Sequence, residues 1–131
     1  MKMTESYFLA LGEQLGVEIK PAEDESLFVA TVDDRIPIVI RDNETARRIE
    51  LTAVVAPELP EEISYSAMMD MLDMALGPLF DSPGIGRDPE SGAIVLYALV
   101  SLATATPVEF AEAVKAFMDL ARTVSERLAN L

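Results

Sequence analysis

Ser64 to Phe80 reads SYSAMMDMLDMALGPLF, and this stretch constrains the chain more than any other. Its spacing predicts a helix. At about 100° per residue, Asp70 and Asp73 share one narrow polar arc, with Ser66 and Gly77 beside them. Met68, Leu72, Ala75 and Leu79 gather on the opposite side. Met69 and Leu76 flank that group on one edge, and Met71, Ala67 and Met74 on the other. The apolar arc spans roughly 240°, where a helix docked on its own domain needs little more than about 100°. A chain of 131 residues seldom encloses a helix completely, so the surplus calls for a second surface. The simplest such surface is a copy of the same chain. Four of the seven methionines lie here, and unbranched thioethers suit an adaptable contact. The alternative is a central helix enclosed by its own polypeptide.

The length predicts one domain over residues 1–131, large enough to hold a core without a covalent staple. Half of the residues are hydrophobic, few are aromatic and Trp is absent, so Leu, Ile, Val, Ala and Met must build that core. A formal charge of −13 argues against a nucleic-acid partner. The acid is concentrated: Pro57 to Glu90 carries eight acidic residues against Arg87 alone. Such a face keeps a protein soluble, and it would also attract a basic partner segment. Cys and His are both absent. That removes disulfides, thiolate nucleophiles, the usual general base and the commonest zinc ligands. The opening Met1-Lys2-Met3-Thr4-Glu5 lacks the basic flank of an export signal. The longest apolar run, Ala93 to Ala105, is short of the roughly 20 residues that span a bilayer. The expectation is a cytoplasmic protein with no membrane insertion.

A first helix is expected from Thr4 to about Leu15, with Phe8, Leu11 and Leu15 on one stripe and Gly16 as its stop. Leu27–Val32, Ile36–Ile40 and Ile49–Val55 read as three strands at hairpin spacing. Pro37 cannot donate to a ladder, so the second strand should lie at an edge or begin there. Asp42-Asn43-Glu44 reads as a turn. After the breaker-rich PELPEE comes the methionine-rich helix, ended or kinked at Gly77-Pro78. Ile85 fits a short strand. Asp88 to Gly92 is a turn with Pro early and Gly late, and Ala93–Leu102 is a strand apolar on both faces. Thr106-Pro107-Val108-Glu109 combines N-cap, first-position Pro and capping box at the start of a last helix. That helix carries Phe110, Val114, Phe117, Ala121, Val124 and Leu128 on one stripe. The fold class is α+β, an antiparallel sheet of about five strands packed with three helices in the order α-βββ-α-ββ-α.

Chemical motifs are sparse. Asp33-Asp34 and Glu61-Glu62 are adjacent pairs in turns, with nothing nearby to shift their protonation. Asp42, Glu44 and Glu50 lack the glycine and spacing of a calcium loop. Gly84-Ile85-Gly86 lacks the strand–glycine–helix setting of a phosphate loop. No cofactor, metal or catalytic residue is expected, and what remains is binding through apolar surface and sheet edges. A first helix lying over an edge strand would make a groove for an extended peptide.

In this respect the chain resembles the class I type III secretion chaperones of the Tir chaperone (CesT) family. The likeness runs through FLALGEQLG at Phe8–Gly16, LFVATVDDRIPIVI, and IELTAVVAPELP ending at Pro60. It continues through the apolar second helix, RDPESGAIVL at Arg87–Leu96, and the helix starting near Pro107. The resemblance implies a homodimeric cytoplasmic chaperone without enzymatic activity. Such proteins hold the extended N-terminal segment of a secreted effector soluble and competent for secretion, and pass it to the secretion ATPase. It implies an effector groove at Phe8, Leu11, Leu15, Leu27, Val29, Ile38 and Ile40. It also implies a dimer contact on the second helix and the late strand, here Met68, Met71, Met74, Ala75, Ile94 and Leu96. The chain departs from the family pattern at Gly77-Pro78-Leu79-Phe80, at Val124 and at Pro37. The alternative function is a relative of the same fold that binds a folded partner as a regulatory subunit outside secretion. A small enzyme using carboxylates alone is the third reading.

Overall fold

A computed structural model describes residues 11–13, 36–43, 45–80, 82–101 and 104–129, and for residues 27–32 the backbone course. Five strands form one antiparallel sheet: β1 (Leu27–Val32), β2 (Ile36–Asn43), β3 (Arg48–Ala56), β4 (Gly84–Arg87) and β5 (Ile94–Ser101). Their order across the sheet is β1-β2-β3-β5-β4. The first three strands make the expected meander. β5 then pairs with β3, and β4 lies outside it as an edge. The methionine-rich helix occupies Tyr65–Ala75 and the C-terminal helix Pro107–Ala129. Leu11, Gly12 and Glu13 are helical, as expected of the first helix.

Local chemistry sets these boundaries. Ser64 accepts a hydrogen bond from the Ala67 N–H at 3.1 Å and starts the methionine helix. Gly77-Pro78 ends it, and the chain continues as a 3-10 turn over Gly77–Phe80. Before the last helix, Thr106 Oγ1 accepts from the Glu109 N–H at 3.2 Å, and Glu109 Oε1 accepts from the Thr106 N–H at 3.1 Å. This is the reciprocal capping box that the sequence predicts. In the Asp88–Gly92 turn, Asp88 accepts from the Glu90 N–H and the Ser91 hydroxyl, and Gly92 takes a φ of 78°.

Two details differ from expectation. Pro37 is neither at an edge nor within the full ladder. β2 lies between β1 and β3, and its pairing with β3 begins only at Ile38. The missing N–H therefore costs no β2–β3 bond. β2 also runs on through Asn43, so Asp42 is a buried strand residue opposite Ile49 rather than part of a turn. The turn comes later, where Asn43 Oδ1 accepts from the Ala46 N–H at 3.1 Å and Arg47 adopts a φ of 53°.

One sheet face forms the core. Ile36, Ile38 and Ile40 of β2, Ile49, Leu51, Ala53 and Val55 of β3, and Ile94 and Leu96 of β5 all lie there. Alternation along each strand and the register between strands bring them together: Ile38 faces Ala53, Leu51 faces Ala98, and Ala53 faces Leu96. The C-terminal helix covers this face with the stripe expected of it: Phe110, Val114, Phe117, Ala121, Val124 and Leu128, all buried. Each large aliphatic or aromatic side chain so enclosed contributes about 1.5–3 kcal/mol.

Candidate interaction surface

The methionine helix divides its surface into three arcs. Ala67 is buried, and Met71 and Met74 pack against the core cluster. Ser66, Asp70 and Asp73 form the polar arc, and the Asp70 carboxylate pairs with the Arg127 guanidinium of the C-terminal helix. Both partners are about half exposed, so the pair adds little stability. The third arc faces outward: Tyr65, Met69, Leu72 and Leu76 are all exposed, the two leucines at 58 % and 55 %. Met68 is half-buried and Ala75 exposed along the edge of this arc.

The 3-10 turn extends the arc. Leu79 and Phe80 are 77 % and 75 % exposed. Their position is fixed from beneath by two glycines. A Cβ on Gly77 would collide with the carbonyl of Pro83, and one on Gly84 would meet Pro78 Cδ and the Tyr97 ring at 2.8 Å. The backbone can approach this closely only because neither residue has a side chain.

The second outward surface lies on the sheet. On β5, Val95, Tyr97 and Leu99 alternate with the core residues, and Leu99 is half exposed. Val54 of β3 lies opposite Val95 and is also exposed. Beside them Glu50 binds Arg48, with a 2.9 Å contact, and Asn43. The hydrogen bond from Arg48 is the main reason the Glu50 carboxyl is held below the usual range, and Asn43 adds to it. The Glu90 backbone N–H and the Ser91 hydroxyl do the same for Asp88 in its turn. Both carboxylates are tied up in local structure. Among the described residues, no three acidic side chains converge as a metal site would require.

The residues named from sequence fall in different places. Phe8 and Leu15 lie outside the described residues. Leu11, Ile38 and Ile40 are completely buried, so they belong to the core rather than to an open groove. Leu27 and Val29 pair with Arg41 and Val39, whereas Ile38 and Ile40 pair with Ala30 and Phe28. Strand alternation therefore puts the register positions of Leu27 and Val29 out of line with Ile38 and Ile40. On the other set, Met71 and Met74 face the core, Met68 and Ala75 border the outward arc, and Ile94 and Leu96 are core. The outward positions on those same elements are Tyr65, Met69, Leu72, Leu76, Leu79, Phe80, Tyr97 and Leu99. Leu72, Leu76, Leu79 and Met69 could be read from the helical projection. On β5, choosing Val95, Tyr97 and Leu99 over Ile94 and Leu96 required knowing the register, since every position there is apolar or small.

The fold and the surface together define a class: a small α+β protein with broad apolar areas facing outward. The sequence profile of the Tir chaperone protein (CesT) family matches residues 9–125, and the chain belongs to that family. No curated protein matches the chain in sequence. Among solved structures, a chain of the HopA1–SchA chaperone–effector complex is similar at a TM-score of 0.72 and 17 % identity, covering 96 % of this chain and 98 % of that one. A chain of the ExsC–ExsE complex matches at 0.69 and 19 %, covering 98 % and 97 %. A chain of the complex of the Yersinia pestis type III secretion chaperone SycH with a stable fragment of YscM2 matches at 0.68 and 18 %, covering 93 % and 99 %. At these identities the likeness is one of fold. Among the described residues, no helix is long and apolar enough to cross a membrane.

Proposed function

We propose that this protein is a type III secretion chaperone that works as a homodimer in the cytoplasm. It holds the extended N-terminal segment of a secreted effector until the segment is handed to the secretion ATPase. The observation that carries this reading is the outward apolar arc of Tyr65, Met69, Leu72 and Leu76, continued by Leu79 and Phe80. A lone soluble chain pays to expose an area of this kind, and a second copy would cover it isologously. Family membership and a neighbour that is a chaperone–effector complex support the client. The dimer contact runs through the outward arc and the outward side of β5. The effector groove lies along the first helix and β1–β2, where Phe8, Leu15, Leu27 and Val29 are its candidate positions.

The test is native co-purification from the source cells, followed by limited proteolysis and mass spectrometry of what travels with the protein. The expected companion is a secreted protein protected only over a short segment near its N-terminus. A companion protected as an intact folded domain would favour a regulatory subunit and overturn the chaperone reading.

A further inference from the structure

We infer that Phe80 is a knob received by a second copy, in the apolar cleft between β5 and the C-terminal helix. Each protomer then supplies one knob and one hole. This rests on the homodimer proposed above and names the contact that anchors it. Phe80 closes the 3-10 turn and is 75 % exposed, with Leu79 beside it. The turn is tied down. The Ser82 N–H donates to the Gly77 carbonyl at 2.9 Å, and Gly77 lies so close to Pro83 that no Cβ would fit between them. The ring is therefore held out by a fixed piece of backbone.

The cleft has a volume of about 310 Å³. Ala98, Leu99 and Val100 of β5 line it, with Ala113, Ala116 and Phe117 of the C-terminal helix. The alanines leave the space that larger side chains would close. Its size is at the lower end of sites that take a small ligand, roughly 300–1,000 Å³, so one aromatic side chain fits. Among the described residues the lining is apolar except for Ser82, whose hydroxyl donates to the Phe80 carbonyl at 3.5 Å. No buried charge there opposes the entry of a ring.

Ser82 and Pro83 belong both to the pinned turn and to the wall of the cleft, so knob and hole are neighbours on one surface. Phe80 does not line its own cleft. An isologous pair brings the same patch together twice, so a residue meets its counterpart's partner in both directions. A two-fold axis passing between knob and hole would seat both rings at once. An unrelated partner that filled the cleft with its own side chain would leave Phe80 exposed. The patch also continues surfaces already assigned to the dimer: Leu76 of the outward arc precedes Gly77, and the half-exposed Leu99 of β5 lines the cleft.

The experiment is sedimentation equilibrium on the full chain, on Phe80→Ala, Phe80→Leu and Ala116→Trp, and on an equal mixture of Phe80→Ala with Ala116→Trp. Circular dichroism checks each fold. Phe80→Ala should raise the dimer dissociation constant at least about thirtyfold, as loss of a central aromatic anchor does. Phe80→Leu, which refills the hole in part, should raise it less. Ala116→Trp fills the hole from a position exposed in the single chain and should weaken the dimer at least as much as Phe80→Ala. The mixture should associate more tightly than either variant alone, because the Ala116→Trp chain keeps its knob and the Phe80→Ala chain keeps its hole. A dimeric parent with Phe80→Ala within about threefold of it would overturn the knob and leave the homodimer standing. A mixture no tighter than the better of its two components would overturn the reciprocal seating. A monomeric parent would overturn the homodimer itself, and the knob with it. The two Phe80 variants decide the case alone if Ala116→Trp loses its fold.

Discussion

Along β5, Leu96 is completely buried and Leu99 is 50 % exposed, although both are leucines on one eight-residue strand. The methionine helix repeats the contrast. Met71 packs on the core, and Leu72, its neighbour in sequence, is 58 % exposed. In each element one apolar face packs on the core, and the other faces outward. Apolar character therefore does not divide core from surface in this chain. What divides them is which face an element turns to the core, and that is set by register in the strand and by the 3.6-residue period in the helix.

This contrast can be broken by substitution. Leu96→Ala should cost about 2–5 kcal/mol in chemical denaturation, because a fully enclosed leucine leaves a cavity. A cost under about 1 kcal/mol would mean that Leu96 is not enclosed as described. Met71→Asp should also act on folding, since it puts a charge against the core, and its main signature should be lost stability. Leu99→Asp should change the monomer's own stability by no more than about 0.5 kcal/mol, as a surface change does, while weakening self-association. If Leu96 and Leu99 substitutions acted alike, the division between the faces would fail.

The smallest effect concerns pH. The folded carboxyls of Glu50 and Asp88 are both held below their ordinary values, so the unfolded chain binds protons first on acidification. Their stabilisation is complete above the ordinary carboxylate range and is lost as pH falls through the lowered folded values. An acid titration should show Glu50→Gln with a slightly shallower loss of stability below about pH 4.5 than the parent chain. A steeper loss would contradict the Arg48 and Asn43 contacts.

Most of the fold was legible because its signals are local. The capping box at Thr106–Glu109, the turn at Asp88–Gly92 and the stripe from Phe110 to Leu128 each need only nearby residues to be read. The meander followed from alternation and spacing. Asp42 was misread because turn-forming residue types at 42–44 outweighed the strand period, which continues one pleat further. The surface was less legible. The projection of the methionine helix gave its excess apolar width, but which edge meets the core depends on where the helix crosses the sheet. On β5 a one-residue choice of register separates Ile94 and Leu96 from Val95, Tyr97 and Leu99, and the polar signal there is confined to Ser101 at the strand's end.

Sedimentation equilibrium at micromolar concentration, on the parent chain and on Leu72→Asp/Leu76→Asp, tests most directly whether the outward arc is covered by a second copy. The expected result is a parent mass of about twice 14.3 kDa, and a monomeric variant with unchanged circular dichroism whose melting temperature is lower than the parent's and independent of concentration. A parent chain that sediments as a monomer, or a variant that remains dimeric, would contradict it.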